Sequence, residues 1–194
     1  MNIRQKTIRF SWKIFWEWLL ANLIGSIVGG IFLFFIAFIS TGGFGSPSME
    51  NPQVSYIKLF MQRLLIGGAF GLILGICQAF VIMAYLKNTS IWILTTTAGF
   101  AIGMASEFVF APSTYLSWAL TGILVGIFQW MILRKQVQKS WLWVVINFAI
   151  GVIIELLGGW NWGVIVFLFL VAGNIFTGIT LAWLITNQKK VEGA

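Results

Sequence analysis

The chain has 194 residues, of which 59% are hydrophobic and only 9% are charged, and its net charge is +7. Soluble domains carry about 25% charged residues, so this composition excludes a water-covered globular domain and predicts an all-α integral membrane protein. The sequence contains no His, and its five acidic residues are all Glu, which excludes a Ser-His-Asp triad and the usual zinc sites. The positive charge flanks apolar segments, which favours membrane orientation over nucleic-acid binding.

The apolar stretches are long enough for six transmembrane helices, since a bilayer core needs about 20 helical residues. Residues 1–13 mix basic and apolar side chains and predict either an interfacial segment on an anionic inner leaflet or a tail that only sets the topology. A single six-helix domain then covers 14–187, with an outer loop at 41–55 rich in Gly, Ser and Pro, and 188–194 form a cytoplasmic tail. The predicted spans are Trp16–Ile39, Leu64–Leu86, Ile91–Ala111, Leu116–Leu133, Trp141–Leu157 and Trp162–Thr186.

The basic residues alternate between the connections of these spans. Ten of the twelve Lys and Arg residues fall in the N-terminus, the second and fourth connections and the C-terminal tail, whereas the first connection holds only Lys58 and Arg63. The positive-inside rule therefore predicts that both termini are cytoplasmic. We expect a multi-pass protein of a bacterial inner membrane, or of a thylakoid membrane.

Glycine spacing predicts three repeated helical hairpins. The odd spans one and three share the pattern W-x6-G-x3-G, and the even spans two and four share G-x3-G-x2-Q. Glycines four residues apart form a flat strip on a helix, along which two backbones approach closely. We expect packing at Gly25, Gly29, Gly71, Gly75, Gly99, Gly103, Gly122, Gly126 and Gly151, against neighbouring helices, a membrane-protein partner or a second copy of the chain.

The stretch "GILVGIFQWMILRK", residues 122–135, carries a resemblance. It resembles a module of uncharacterised bacterial, often cyanobacterial, multi-span membrane proteins with tandem hairpins of the form G-x-x-x-G-x-x-Q-W-x-x-L-R. The first copy in this chain departs from that form, because Ala79 replaces the Trp and no Leu-Arg pair follows at that spacing. The resemblance covers residues 71–158 and implies a family without implying an activity. The matching residues are Gly122, Gly126, Gln129, Trp130, Leu133 and Arg134.

Polar residues inside the spans are the candidate functional residues. Gln78, Gln129 and Asn147 predict hydrogen bonds between helices. Glu107 and Glu155 lie at matching positions in the similar stretches "GFAIGMASEF", residues 99–108, and "NFAIGVIIEL", residues 147–156, which are 48 residues apart. Equivalent positions would bring both carboxylates to one outward-facing pocket between spans three and five, which holds a cation or a basic ligand group. The alternative is a carboxylate at a helix end, or an ion pair with Arg63.

The function that these features favour is non-enzymatic, with no catalytic residue, metal or cofactor. The chain is similar in size and topology to the vitamin-binding S-components of energy-coupling transporters. That resemblance implies a transport-related ligand-binding role, in which the 41–55 loop closes over the ligand and Ala21, Gly25 and Gly29 dock a partner subunit. The repeated Gly and Gln hairpin is not part of that family's pattern. The alternative is a structural or assembly factor for other membrane proteins or lipid.

Overall fold

The computed structural model describes residues 10–40, 52–87, 89–106, 117–158 and 169–187. Every regular element in these ranges is helical, which confirms the all-α prediction. A π-helical turn, Phe169–Gly173, precedes the last of the α-helices. The α-helices are α1 (Trp12–Ser40), α2 (Pro52–Ile82), α3 (Thr89–Ser106), α4 (Ser117–Leu133), α5 (Trp141–Gly158) and α6 (Asn174–Thr186).

Helix α2 begins before the predicted second transmembrane span. It starts at Pro52 rather than near Leu64, so residues 52–55 of the predicted outer loop are helical. Proline is well suited to the first turn of a helix, where its missing N–H would have no partner. Lys58 and Arg63 lower the mean hydropathy of the stretch between Pro52 and Leu64, but Lys and Arg do not interrupt a helix. Helix α1 likewise begins at Trp12, inside the predicted N-terminal segment.

The six helices form a closed ring. Each helix packs against its neighbours in sequence, α6 also packs against α1, and the π-helical turn contacts α1 and α5. Short connections make this arrangement natural, because neighbouring elements joined by few residues pack side by side and antiparallel. The ring brings one face of every helix toward a common interior.

The outside of the ring is apolar and its interior contains most of the buried polar side chains. On α1 the exposed residues include Leu20, Ile24, Ile27 and Phe34. In the described ranges, the helical stretches Trp12–Ile36 and Tyr56–Ile82 are long and apolar enough to cross a bilayer, judged by length and composition alone. The buried polar residues are Asn22, Ser26, Gln78, Thr96, Thr121, Gln129, Ser140, Asn174 and Thr177.

Helices α2 and α4 pack in the same way against the helix that follows each of them. A β-carbon on Gly71 would lie 2.8 Å from the carbonyl oxygen of Thr96, and one on Gly122 would overlap the carbonyl oxygen of Asn147. Gly75 and Gly126 lie similarly close to the backbones of Ile93 and Val144. Each residue named in the α4–α5 contact lies 51 residues after the corresponding residue in the α2–α3 contact. The chain therefore repeats with a period of 51 in three dimensions.

This register corrects the one inferred from the similar glutamate stretches. A period of 51 places Thr96, not Gly99, at the position of Asn147, so the 48-residue match is three residues out of register. Three residues rotate a helical side chain by about 60° and move it about 4.5 Å along the axis. Gly103 packs on Thr121 and Gly151 on the Trp118–Ala119 backbone, so the two glycines meet α4 from different neighbouring helices.

The odd helices use their own glycines against the preceding or following even helix. Gly25 lies against Leu74 and Cys77 of α2, and Gly29 lies against the ring of Phe70. Gly99 lies against Val125, which follows Leu74 by the same 51 residues. These three glycines therefore already contact other helices of the ring. A partner subunit that docks on α1 would meet other residues of that helix.

Candidate functional site: a tryptophan triad beside a polar cavity

Three tryptophans, one from each odd helix, meet at the centre of the ring. Trp18, Trp92 and Trp143 are almost completely buried. Their ring centroids are 6.2 Å apart for Trp18 and Trp92, 5.7 Å for Trp18 and Trp143, and 5.9 Å for Trp92 and Trp143. Trp18 meets Trp92 and Trp143 at interplanar angles of 87° and 78°, which are typical of favourable edge-to-face aromatic pairs, and the Trp92 and Trp143 rings are tilted by 57°. We call these residues the tryptophan triad.

Each indole N–H of the triad donates a hydrogen bond to an even helix. Trp92 Nε1 lies 2.9 Å from Gln78 Oε1, and Trp143 Nε1 lies 2.8 Å from Gln129 Oε1. Each glutamine precedes its tryptophan by 14 residues, so this hydrogen bond repeats with the helix pairs α2–α3 and α4–α5. Trp18 Nε1 donates to Thr177 Oγ1 at 3.0 Å, which makes the corresponding link between α1 and α6.

The two glutamines also connect the helix pairs to one another. Gln129 Nε2 donates to Thr96 Oγ1 at 2.8 Å and, over 3.3 Å, to Gln78 Oε1. Gln78 Nε2 donates to Asn22 Oδ1 at 2.8 Å. Both glutamines are buried, and a buried amide without partners would cost free energy. Together the bonds of the two glutamines link α1, α2, α3, α4 and α5.

A second repeated bond sets the position of the next polar layer. Asn22, Thr96 and Asn147 each stand four residues after a triad tryptophan, and each donates to that tryptophan's carbonyl oxygen at 2.8 Å. Such bonds to the i−4 carbonyl satisfy a polar side chain within its own helix. The pattern W-x3-[N/T] was therefore available in the sequence, as was the 14-residue Gln-to-Trp spacing. The Gln-to-Trp spacing selects Trp92 and Trp143, whereas W-x3-[N/T] selects all three triad tryptophans and also Trp183, which lies outside the triad.

A cavity of about 50 Å³ lies next to this network. A cavity of that size has room for a few water-sized molecules. Polar residues from five helices line it, together with apolar side chains that include Leu74, Phe100, Val125 and Ile150. No charged side chain from the described part of the chain lines it. The polar lining residues are Asn22, Gln78, Gln129, Asn147, Asn174 and Thr177.

The predicted acidic site is described only in part. Glu155 accepts a hydrogen bond from the backbone N–H of Trp118 at 2.9 Å, in the first turn of α4. A carboxylate in this position satisfies one of the unpaired N–H groups that begin a helix and interacts favourably with the helix dipole. Glu107 lies outside the described residues, and Arg63 lies in α2. The pairing of the two glutamates stays a prediction, although the 51-residue register pairs Glu155 with Met104 instead.

Charged and phenolic groups gather where α1 and the turn after α2 meet. The Tyr85 hydroxyl donates to Glu17 at 2.9 Å, and Lys13 lies 3.8 Å from the same carboxylate, as expected from their four-residue spacing. Burial of the phenol, followed by its hydrogen bond to Glu17 and the negative charge there, raises the pKa of Tyr85 above 10.0. In the described residues, no three His, Cys, Asp or Glu side chains come together as a metal site would need.

No family model, curated protein or solved structure matches this chain. The resemblance of residues 71–158 to the tandem-hairpin proteins therefore stays a prediction, as does the similarity to S-components.

Proposed function

We propose that this chain is a six-span integral membrane protein with both termini in the cytoplasm. The ten-to-two distribution of basic residues across alternate connections supports this topology. The apolar outer surface of the ring and its polar interior also support it, because lipid covers the outside of a membrane bundle and polar side chains bond within it. A bacterial inner membrane or a thylakoid membrane fits the composition.

Cysteine labelling tests the topology. In a Cys77→Ala background, single cysteines at Ser48 and Lys139 should react with a membrane-impermeant maleimide from opposite sides of the membrane. Spheroplasts and inverted vesicles supply the two orientations. Labelling of both positions from one side would rule out the six-span arrangement.

We further propose that the protein binds a small ligand in the central cavity, in a transport-related and non-enzymatic role. The observation that carries this proposal is the convergence of polar side chains from five helices on one cavity. Ligand sites in helical membrane proteins are commonly built where polar side chains of several helices converge inside the bundle. The described cavity walls have amides, a hydroxyl and indole groups but no ionisable acid or base, so they can hold a molecule but supply no proton-transfer group.

Native mass spectrometry of gently solubilised protein tests this function. We expect a co-purified small molecule in the parent chain and its loss in Asn147→Leu, because Asn147 lines the cavity. The matched control is Asn187→Leu. Asn187 makes the same i−4 bond to a tryptophan carbonyl, at 2.8 Å, but lies at the end of α6 and does not line the cavity. A ligand retained in both variants would contradict a site at this cavity.

A structural or assembly role is the alternative, and the outer face of α1 favours it. In the membrane-spanning window of α1, 22% of residues are buried, compared with 44% for α2. Helix α1 therefore presents a broad apolar face that another membrane protein could cover. In the same mass spectra, a protein partner without a small molecule would support this alternative.

A further inference from the structure

A second cavity adjoins the central one. It also measures about 50 Å³ and lies among α3, α4 and α5, beside the close contact of Gly122 and Gly151. The two cavities share four lining residues, Phe100, Val125, Asn147 and Ile150. Asn147 is the polar member of this shared wall. A molecule in either cavity would therefore contact the same amide.

The hydrogen bond within α5 determines which atom of Asn147 faces a bound molecule. The carbonyl oxygen of Trp143 can only accept, so the Asn147 nitrogen must face it, as observed at 2.8 Å. Asn147 Oδ1 accepts no hydrogen bond from any group in the described part of the chain. The repeat-related Asn22 differs, because its Oδ1 accepts from Gln78. Asn147 Oδ1 is therefore available to accept a hydrogen bond from a bound molecule, whereas Asn22 Oδ1 is already bonded to Gln78.

The other walls restrict the charge and size of an occupant. The described lining of both cavities is uncharged, so a charged molecule would lose its hydration without an opposite charge in return. A cavity of about 150 Å³ admits benzene, with six non-hydrogen atoms. Two adjoining cavities of the observed size would on that scale admit about four such atoms.

We propose that the two cavities form one site for a small uncharged molecule of about four non-hydrogen atoms that donates a hydrogen bond to Asn147 Oδ1. Simple amides and urea-like molecules have this size and chemistry. This inference rests on the proposed ligand-binding function and names its substrate class. Asn147 is the residue that distinguishes a hydrogen-bond donor from an apolar molecule of the same shape.

Acetamide and acetone are the probes for this site, since they differ by one NH₂ group in place of a methyl group. The full chain is labelled with ¹⁵N-tryptophan in detergent micelles. The indole N–H resonance of Trp143, which lines the central cavity, is assigned by its loss in Trp143→Phe and followed during titration. We expect acetamide to bind with a Kd about fivefold lower than that of acetone, as one additional hydrogen bond allows.

In Asn147→Leu the two Kd values should become equal, whereas Asn187→Leu should keep the fivefold ratio. Asn147→Ala, which introduces no bulk, provides the same comparison if the leucine variant does not fold. Equal Kd values in the parent, or an unchanged ratio in the Asn147 variants, would overturn the role of Asn147. Absence of any shift with either probe would overturn the small-molecule site altogether. A larger co-purified ligand in the mass spectra would then still support the broader function, which separates the two failures.

Discussion

Replacing Gln129 by leucine should destabilise the folded protein by about 2 kcal/mol. The side chain is 1% exposed, and its Oε1 accepts the N–H of Trp143, which is itself fully buried. Leucine has a similar volume but leaves that indole donor without a partner, which costs about 1–3 kcal/mol. Hydrogen bonds between membrane helices average only about 0.6 kcal/mol. We expect the larger value because two further bonds, to Thr96 and Gln78, are lost as well.

The measurement is the free energy of unfolding in mixed micelles, followed by tryptophan fluorescence. Gln136→Leu is the control, since Gln136 bonds the backbone of Lys87 at an exposed turn, and it should cost less than about 0.5 kcal/mol. Adding Trp143→Phe removes the unpaired donor, so the double variant should cost about 1 kcal/mol less than the sum of the single changes. A Gln129→Leu loss no greater than that of the control, or full additivity in the double variant, would refute the reasoning.

Two further predictions concern packing and pH. Gly103→Leu should destabilise the fold by about 1–3 kcal/mol in the same unfolding assay, because the new β-carbon would lie 2.6 Å from the Thr121 Cα. Gly30→Leu should not destabilise it, since a β-carbon there meets nothing within 4 Å, and equal losses would contradict the packing role. The raised pKa of Tyr85 means that folding favours its neutral form. Stability should therefore stay level up to about pH 10 and fall above it, and Tyr85→Phe should remove part of that fall in pH-dependent unfolding. An alkaline profile unchanged by that substitution would show that the contact with Glu17 does not contribute.

The sequence predicts an all-helical chain because composition and apolar length decide that class directly. It also points to the glycines of α2 and α4, since only a missing side chain permits the observed approach of Gly71 to Thr96. The register of α5 follows from the 14-residue Gln-to-Trp spacing, and the more similar glutamate stretches point to a different one. The matching stretches around Glu107 and Glu155 are similar in composition, but helix contacts follow the 51-residue period. Thr177 could not be identified as a counterpart of the glutamines, because a hydroxyl can accept the same N–H bond as an amide without resembling it in sequence.

Helix α2 extends beyond the predicted second span for a related reason. Charged residues such as Lys58 lower local hydropathy, yet a helix can extend beyond the apolar core of a membrane without breaking. The sixth helix shows the opposite case, since an apolar stretch predicted as one span contains the π-helical turn before Asn174. Hydropathy measures where side chains can reside, and backbone hydrogen bonding decides where a helix begins or changes pitch.

The tryptophan triad has an optical consequence. Three indoles with centroids 5.7–6.2 Å apart are close enough for their electronic transitions to couple. The fold holds the three rings in one fixed and chiral mutual orientation, so the cluster should produce an exciton couplet in circular dichroism that separated tryptophans do not produce. Each coupled pair joins two of the helices α1, α3 and α5, so the complete couplet of the triad is reached only when all three helices are in place. The native chain therefore carries an intrinsic spectroscopic reporter of ring closure.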